Sequence, residues 1–148
     1  MKILMVCLGN ICRSPLAEGI LRHKAQQAGL NWIVDSAGTG AWHVGEQPDK
    51  RSMAIAKKYG IDLSYQRARQ FQASDFENYD VIYAMDSQNY NDILRKAPDE
   101  GYHGKVKLIL NESKPGYNQA VPDPYWNDNG FQHVYDLLNE ACEHIVRR

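Results

Sequence analysis

Cys7 and Arg13 stand at the two ends of Cys7-Leu8-Gly9-Asn10-Ile11-Cys12-Arg13-Ser14. These residue types suit attack of a sulfur anion on phosphorus. A free thiol ionises near pH 8.5, but at a helix N-terminus beside arginine the value can fall to roughly 3.5–7.5. The Arg13 guanidinium is a planar fork that matches two phosphoryl oxygens. Ser14 carries a hydroxyl that can donate to the sulfur, first as thiolate and later as leaving group. Gly9 permits a positive φ or a close backbone approach. Asn10 tolerates left-handed geometry, and its amide can tie the loop to its neighbours.

Such a loop needs elements to hold it. Ile3-Leu4-Met5-Val6 precedes it and Pro15-Leu16-Ala17-Glu18-Gly19-Ile20-Leu21 follows. The pattern predicts a buried strand, a tight loop, and a helix from about Ser14 to Gln27 with Pro at its first position and a stripe of Leu16, Ile20 and Leu21. A loop between the end of a strand and the start of a helix aims N–H groups and the positive end of the helix dipole at one point. Leu8 to Ser14 therefore reads as a phosphate-binding nest, with Cys7 at its mouth.

The segment V-C-L-G-N-I-C-R-S-P-x-A-E, Val6 to Glu18, resembles the signature of the low-molecular-weight protein tyrosine phosphatases. The likeness continues through D-S-A-G at Asp35–Gly38, W-x-V-G at Trp42–Gly45, A-R-Q at Ala68–Gln70, Met85-Asp86, and D-P-Y at Asp123–Tyr125. It spans nearly the whole chain. The resemblance implies a doubly wound domain with strand order 2-1-3-4, a Ser36 that helps hold Asn10, and a reversible Cys7–Cys12 disulfide that protects the nucleophile; the alternative for Cys12 is a small packing residue. It also favours phosphotyrosine over phosphoarginine, because relatives acting on phosphoarginine tend to carry Thr where this chain has Ile11. One departure stands out. The family pattern has His two positions before the Ala of A-R-Q, thought to brace the Asn and Ser of the phosphate loop, and this chain has Gln66. Gln66 either substitutes in part as a neutral brace, or the loop is shifted by a residue and brings Tyr65 near.

The rest of the chain alternates strand and helix. Trp32-Ile33-Val34 reads as a second strand ending at Asp35-Ser36, Val81 to Met85 as a third, and Val106 to Leu110 as a fourth. Helices are expected over Pro48 to Tyr59, from a Ser74/Glu77 capping box, over Ser87 to about Lys96, and over Gly130 to Val146. Val134, Leu137, Leu138, Ala141 and Ile145 give the last helix a core face, on which Cys142 is a packed residue. This order predicts a single α/β domain over residues 1–148, with a four-stranded parallel sheet and helices on both faces. Parallel strands would gather Cys7, Ser36 and Asp86 at one sheet edge, where such folds hold ligands.

Asp86 is placed to cap the helix that follows and to fix the Arg13 guanidinium. A polar loop from Asn111 leads to Pro122-Asp123-Pro124-Tyr125-Trp126. Two prolines stiffen the backbone around one carboxylate, which suits a general acid. Trp42, in a Gly-rich loop, and Tyr125 and Trp126 are expected to wall a cleft for an aryl phosphate. The expected reaction is hydrolysis of phosphotyrosine through a cysteinyl phosphate, with Asp123 as acid and then base and inorganic phosphate as product or inhibitor. Two rival readings draw on other chemistry. A thiol-dependent arsenate reductase needs further late cysteines, and only Cys142 remains. A non-catalytic phosphotyrosine binder does not need Cys7, Arg13 and Asp123 together.

Composition narrows the partners. The 148 residues carry a net charge of −1, which disfavours nucleic acid and anionic membranes as partners. No apolar run approaches the roughly 18 residues of a membrane span. The N-terminus reads as a core strand rather than a signal peptide. Three cysteines give no disulfide framework and fit a reducing cytoplasm. The five histidines, His23, His43, His103, His133 and His144, lack zinc-ligand spacing, so neither a metal nor a cofactor is expected. A monomer or weak dimer is the expected state.

Overall fold

The computed structural model describes residues 1–147. Strands β1 (Lys2–Cys7), β2 (Ile33–Gly38), β3 (Val81–Ala84) and β4 (Val106–Leu108) form a parallel sheet in the order β2-β1-β3-β4. Helices α1 (Arg13–Gln27), α2 (Lys50–Lys58), α3 (Asp75–Asn78), α4 (Ser87–Arg95) and α5 (Phe131–Val146) lie in the connections. The order agrees with the one the family resemblance implied.

Strand β1 is central and buried on both faces, so it reads as continuous apolar sequence rather than alternation. Ile3, Met5 and Cys7 share a core with Leu16, Ile20, Leu138 and Ala141 of α1 and α5. Leu4 and Val6 point to the other side, into a core with Phe71, Phe76, Ile82 and Ile93. Truncating any of these fully buried aliphatic side chains to Ala costs about 2–5 kcal/mol. The strands end together: Cys7 pairs with Gly38 and Val6 with Ala84. That common edge carries the phosphate loop.

Several local expectations are corrected. Helix α1 begins at Arg13, so Pro15 is its third residue rather than its first. The missing N–H is still harmless, because the first four N–H groups of a helix have no partner within it. Burial of α1 runs unbroken from Arg13 to Leu21, wider than the expected stripe, because the helix packs against both the sheet and α5. Strand β4 stops at Leu108. Ile109 and Leu110 enter a short 3-10 turn and bury in the same core, which alternating strand geometry does not allow. Ser74 makes no capping bond. Its buried neighbour Asp75 takes the Gln72 N–H at 2.8 Å and pairs with Arg69, and a carboxylate has more acceptor capacity than a serine. Helix α2 starts at Lys50, capped by Asp49, two residues beyond Pro48. Helix α5 buries Val134, Leu138, Ala141, Cys142 and Ile145 as expected, with Leu137 only partly buried.

Candidate active site

The loop after β1 curls because its carbonyls are anchored on the outside. Those of Cys7, Leu8 and Ile11 accept from the N–H groups of Thr39, Gly40 and Asp49 at 2.7–2.9 Å, and that of Cys12 from Ser52 Oγ at 3.1 Å. On the inside, the Asn10 N–H reaches Cys7 Sγ at 3.3 Å. The left-handed residue is Asn10, φ 58°, rather than Gly9. Gly9 serves close approach instead: a Cβ there would meet His43 Cδ2 at 3.2 Å. Gly38 does the same beneath the loop, where a Cβ would lie 2.8 Å from the Leu8 carbonyl oxygen.

The polarity of the hydrogen bonds around Cys7 follows from one anchor. The Arg69 backbone N–H can only donate, and it donates to Asn10 Oδ1 at 3.0 Å. Asn10 Nδ2 must therefore face the other way, and it donates to Ser14 Oγ at 2.8 Å and Ser36 Oγ at 3.0 Å. Ser14 accepts from Asn10, and its single proton has two acceptors in reach, Cys7 Sγ at 3.0 Å and the Ala37 carbonyl at 3.4 Å. The Asn10 backbone N–H and the Ser14 hydroxyl thus both lie against the sulfur. Ser36 holds Asn10 as the resemblance implied.

Arg13 is buried at 3% exposure. Its Nη1 donates to Asp86 Oδ2 at 2.7 Å and to the Val121 carbonyl at 2.9 Å. Burial works against its charge, but Cys7, Asp86 and Asp123 outweigh burial and hold its pKa above the ordinary arginine value. Asp86 fills both roles read from the sequence, since Oδ1 caps α4 through the Asn89 N–H at 2.8 Å. Asp123 Oδ2 lies 3.9 Å from Arg13 Nη2, while Oδ1 accepts the Tyr125 N–H at 3.1 Å.

Between these groups lies a pocket of about 280 Å³ floored by Cys7, Gly9, Cys12 and Arg13 and flanked by Ile11, Asp123 and Tyr125. Trp42 and Trp126 line it too, but at 70% and 87% exposure they form its rim, not its depth. Cys12 packs with Ile11, Ala68 and Phe131. Burial first, then Asp49 and Cys7, push its thiol up to about 12. Cys7, Cys12 and Cys142 are all free thiols.

Gln66 does not brace Asn10 or Ser14. Its Nε2 donates to the Pro15 carbonyl at 3.0 Å and to the Tyr65 hydroxyl at 3.3 Å, and its buried Oε1 has no partner. Its donors are taken by the backbone of α1 and by Tyr65. The bracing expected there comes from Ser36 and the Arg69 backbone.

The fold and this arrangement can be set beside known proteins. The model of the family described as low molecular weight phosphotyrosine protein phosphatase matches residues 2–148. This chain belongs to that family. It is 43% identical over 150 residues to the low molecular weight phosphotyrosine protein phosphatase of Schizosaccharomyces pombe, covering 99% of this chain and 95% of the relative. The crystal structure of a protein tyrosine phosphatase from Entamoeba histolytica is 40% identical and superposes with a TM-score of 0.92, covering 99% of this chain and 95% of that one. A Drosophila arginine phosphatase structure reaches the same TM-score at 34% identity, covering 99% and 96%. The family is one of hydrolases, and the shared fold alone does not separate its substrates.

Residues that sequence reasoning missed surround the phosphatase pocket. His43 lines it, with Nδ1 3.0 Å from Glu46 Oε2. Ser52 and Asp49 anchor the loop from α2. Arg51 spans Asp49, Asp128 and the Tyr125 carbonyl, with its guanidinium over the rings of Tyr125 and Phe131. Asp49 and Asp128 raise its pKa above the ordinary value. The signal was local only for Asp49, a helix-capping type placed after Pro48.

Proposed function

We propose that the chain, acting as one domain, hydrolyses phosphotyrosine in proteins through a phosphorylated Cys7. The phosphoryl oxygens sit against the loop N–H groups from Leu8 to Ser14 and the remaining donors of Arg13. Cys7 Sγ attacks phosphorus as the bond to the aryl oxygen breaks, and Asp123 gives its proton to that oxygen. Asp123, now a carboxylate, takes a proton from water as the water attacks the phosphocysteine. Inorganic phosphate leaves, and the sulfur departs as an anion that the Ser14 hydroxyl stabilises. One observation carries this reading: sulfur, guanidinium and carboxylate line the same pocket, with the Asn10 N–H donating to the sulfur and the Ser14 hydroxyl 3.0 Å from it.

Pocket shape supports an aryl ester. Ile11 and Tyr125 give apolar walls, and the tryptophan rim extends them outward, so a flat, long side chain reaches the sulfur where a short phosphoserine does not. Three free cysteines fit a reducing cytoplasm. Among the described residues no helix is long and apolar enough to cross a membrane. The test compares phosphotyrosine, phosphoserine and phosphoarginine peptides with wild type and Cys7→Ser. Phosphotyrosine should be preferred and Cys7→Ser should lose about 10⁴-fold or more in turnover. Preference for phosphoarginine would replace the substrate assignment. Retained turnover in Cys7→Ser would overturn the mechanism.

A further inference from the structure

A second hollow of about 320 Å³ lies beside the Cys7 pocket, between the loop after β2 and the C-terminal end of α4. Leu8, Gly40, Trp42, Asp92, Arg95 and Lys96 line it. Leu8 and Trp42 line both hollows, so only a ridge of these side chains separates the two. The ridge is built in. The Gly40 N–H donates to the Leu8 carbonyl at 2.9 Å, and a Cβ on Gly40 would run into the Trp42 ring, so the indole rests on bare backbone.

The charges in this second hollow do not cancel. Asp92 Oδ1 accepts from Arg95 Nη2 at 2.7 Å and from Gln88 Nε2 at 3.1 Å, so Asp92 and Arg95 neutralise each other along α4. Lys96 is left over. Its Nζ donates to the carbonyls of Thr39 and Phe71, each at 3.4 Å, and among the described residues it has no carboxylate partner. An ammonium group has three donors, so two carbonyls hold it in place and leave one donor for a ligand. Lys96 is also half-buried, which weakens the screening of its charge by solvent and salt. Arg51, the cation beside Tyr125, is by contrast already paired with Asp49 and Asp128.

We propose that this hollow is a subsite for an acidic residue flanking the phosphotyrosine, with Lys96 as the charge that selects it. The inference rests on the phosphotyrosine reading of the first pocket and narrows it to protein segments that are acidic around the tyrosine. The occupant follows from the shared ridge. A peptide whose phosphotyrosine fills the first pocket leaves it over a wall, and residues one or two positions away stand within about 7 Å along an extended chain. Residues that cross Leu8 and Trp42 come to Lys96. A carboxylate there meets a cation that no carboxylate of this chain answers, and a lysine there is repelled.

The test uses three phosphotyrosine peptides, with two glutamates, two alanines or two lysines on each side, and p-nitrophenyl phosphate as a substrate too small to cross the ridge. Wild type should favour the glutamate peptide over the alanine peptide by about threefold to tenfold in kcat/KM, through KM, and should disfavour the lysine peptide. Lys96→Gln should bring that preference within about 1.5-fold, while kcat/KM for p-nitrophenyl phosphate stays within about twofold of wild type. Asp92→Asn acts in the opposite direction. It frees the Arg95 charge and should raise the preference about twofold, and the helix-surface pairs it removes are weak enough for the fold to tolerate their loss. Added salt should shrink the preference in wild type and leave Lys96→Gln unchanged. A wild type without the preference, a preference that survives in Lys96→Gln, or one that falls in Asp92→Asn overturns the subsite. An equal loss on every substrate in Lys96→Gln, p-nitrophenyl phosphate included, would mark Lys96 as a prop for the Thr39 turn and overturn it too. If no peptide is turned over in a Cys7-dependent way, the phosphatase reading beneath it falls instead.

Discussion

The two sides of the pocket are held in opposite ways. On the Cys7 side, Asn10, Arg13 and Ser14 are buried, and each is hydrogen-bonded to a residue of another element. On the acid side, Asp123 has 39% of its side chain exposed, Trp126 is almost bare, and the segment is tied down at few points: Val121 to Met85 and Arg13, and Tyr125 to Arg51. In the proposed mechanism Cys7 must be an anion before substrate arrives, which calls for donors built in advance. In the same proposal Asp123 must meet an oxygen that substrate brings, which suits a segment near solvent. Damage on the two sides should differ in kind.

The sharpest contrast is with leaving group. Asp123→Asn should cost about 10²–10³-fold in kcat with phenyl phosphate but only about tenfold with p-nitrophenyl phosphate, whose phenolate departs unaided. Equal losses would break the division between the two sides. Asn10→Ala should cost about 30–100-fold with both esters, because it disturbs the sulfur and not the leaving oxygen. It should also cost about 2 kcal/mol or more in urea unfolding, since it removes the partner of the Arg69 N–H and of two serine oxygens and puts alanine in left-handed geometry. A smaller effect is expected from Arg51→Ala, about threefold to tenfold in kcat, larger for phenyl phosphate because only the acid segment is released. Smallest is a pH effect within the loop itself. With its thiol pushed up to about 12, Cys12 stays protonated at neutral pH and ionises only as pH rises toward that value. In a Cys7→Ser background, iodoacetamide should therefore barely label Cys12 at pH 8, and labelling should climb only in strong alkali. Rapid labelling at pH 8 would mean that burial does not restrain this thiol.

The parts of this molecule that were legible in sequence are those whose physics is local. The apolar run before Cys7, the loop, and the helix after it are adjacent in the chain, and their periodicities predict a strand and a helix without outside help. The capping role of Asp86 is also local. The failures share a cause as well. Ser74 stands before α3 as expected but makes no capping bond, while its neighbour Asp75 pairs with Arg69, and β4 ends earlier than its apolar run because Ile109 and Leu110 both face one core.

Sequence by itself determined that a sulfur, an anion nest and a guanidinium share one strand–loop–helix unit, and that strands alternate with helices around it. Tertiary structure alone decided which partner each polar group would take. Arg13 meets Asp86 across 73 positions, Asn10 meets Ser36 across 26, and Tyr65 meets Glu18 across 47. Gln66 is the instructive case: its residue type allowed a brace, but the Pro15 carbonyl and Tyr65 hydroxyl took its donors. Hydrogen bonds reach only about 3 Å, so distant residues become partners only when packing has already fixed where each one lies.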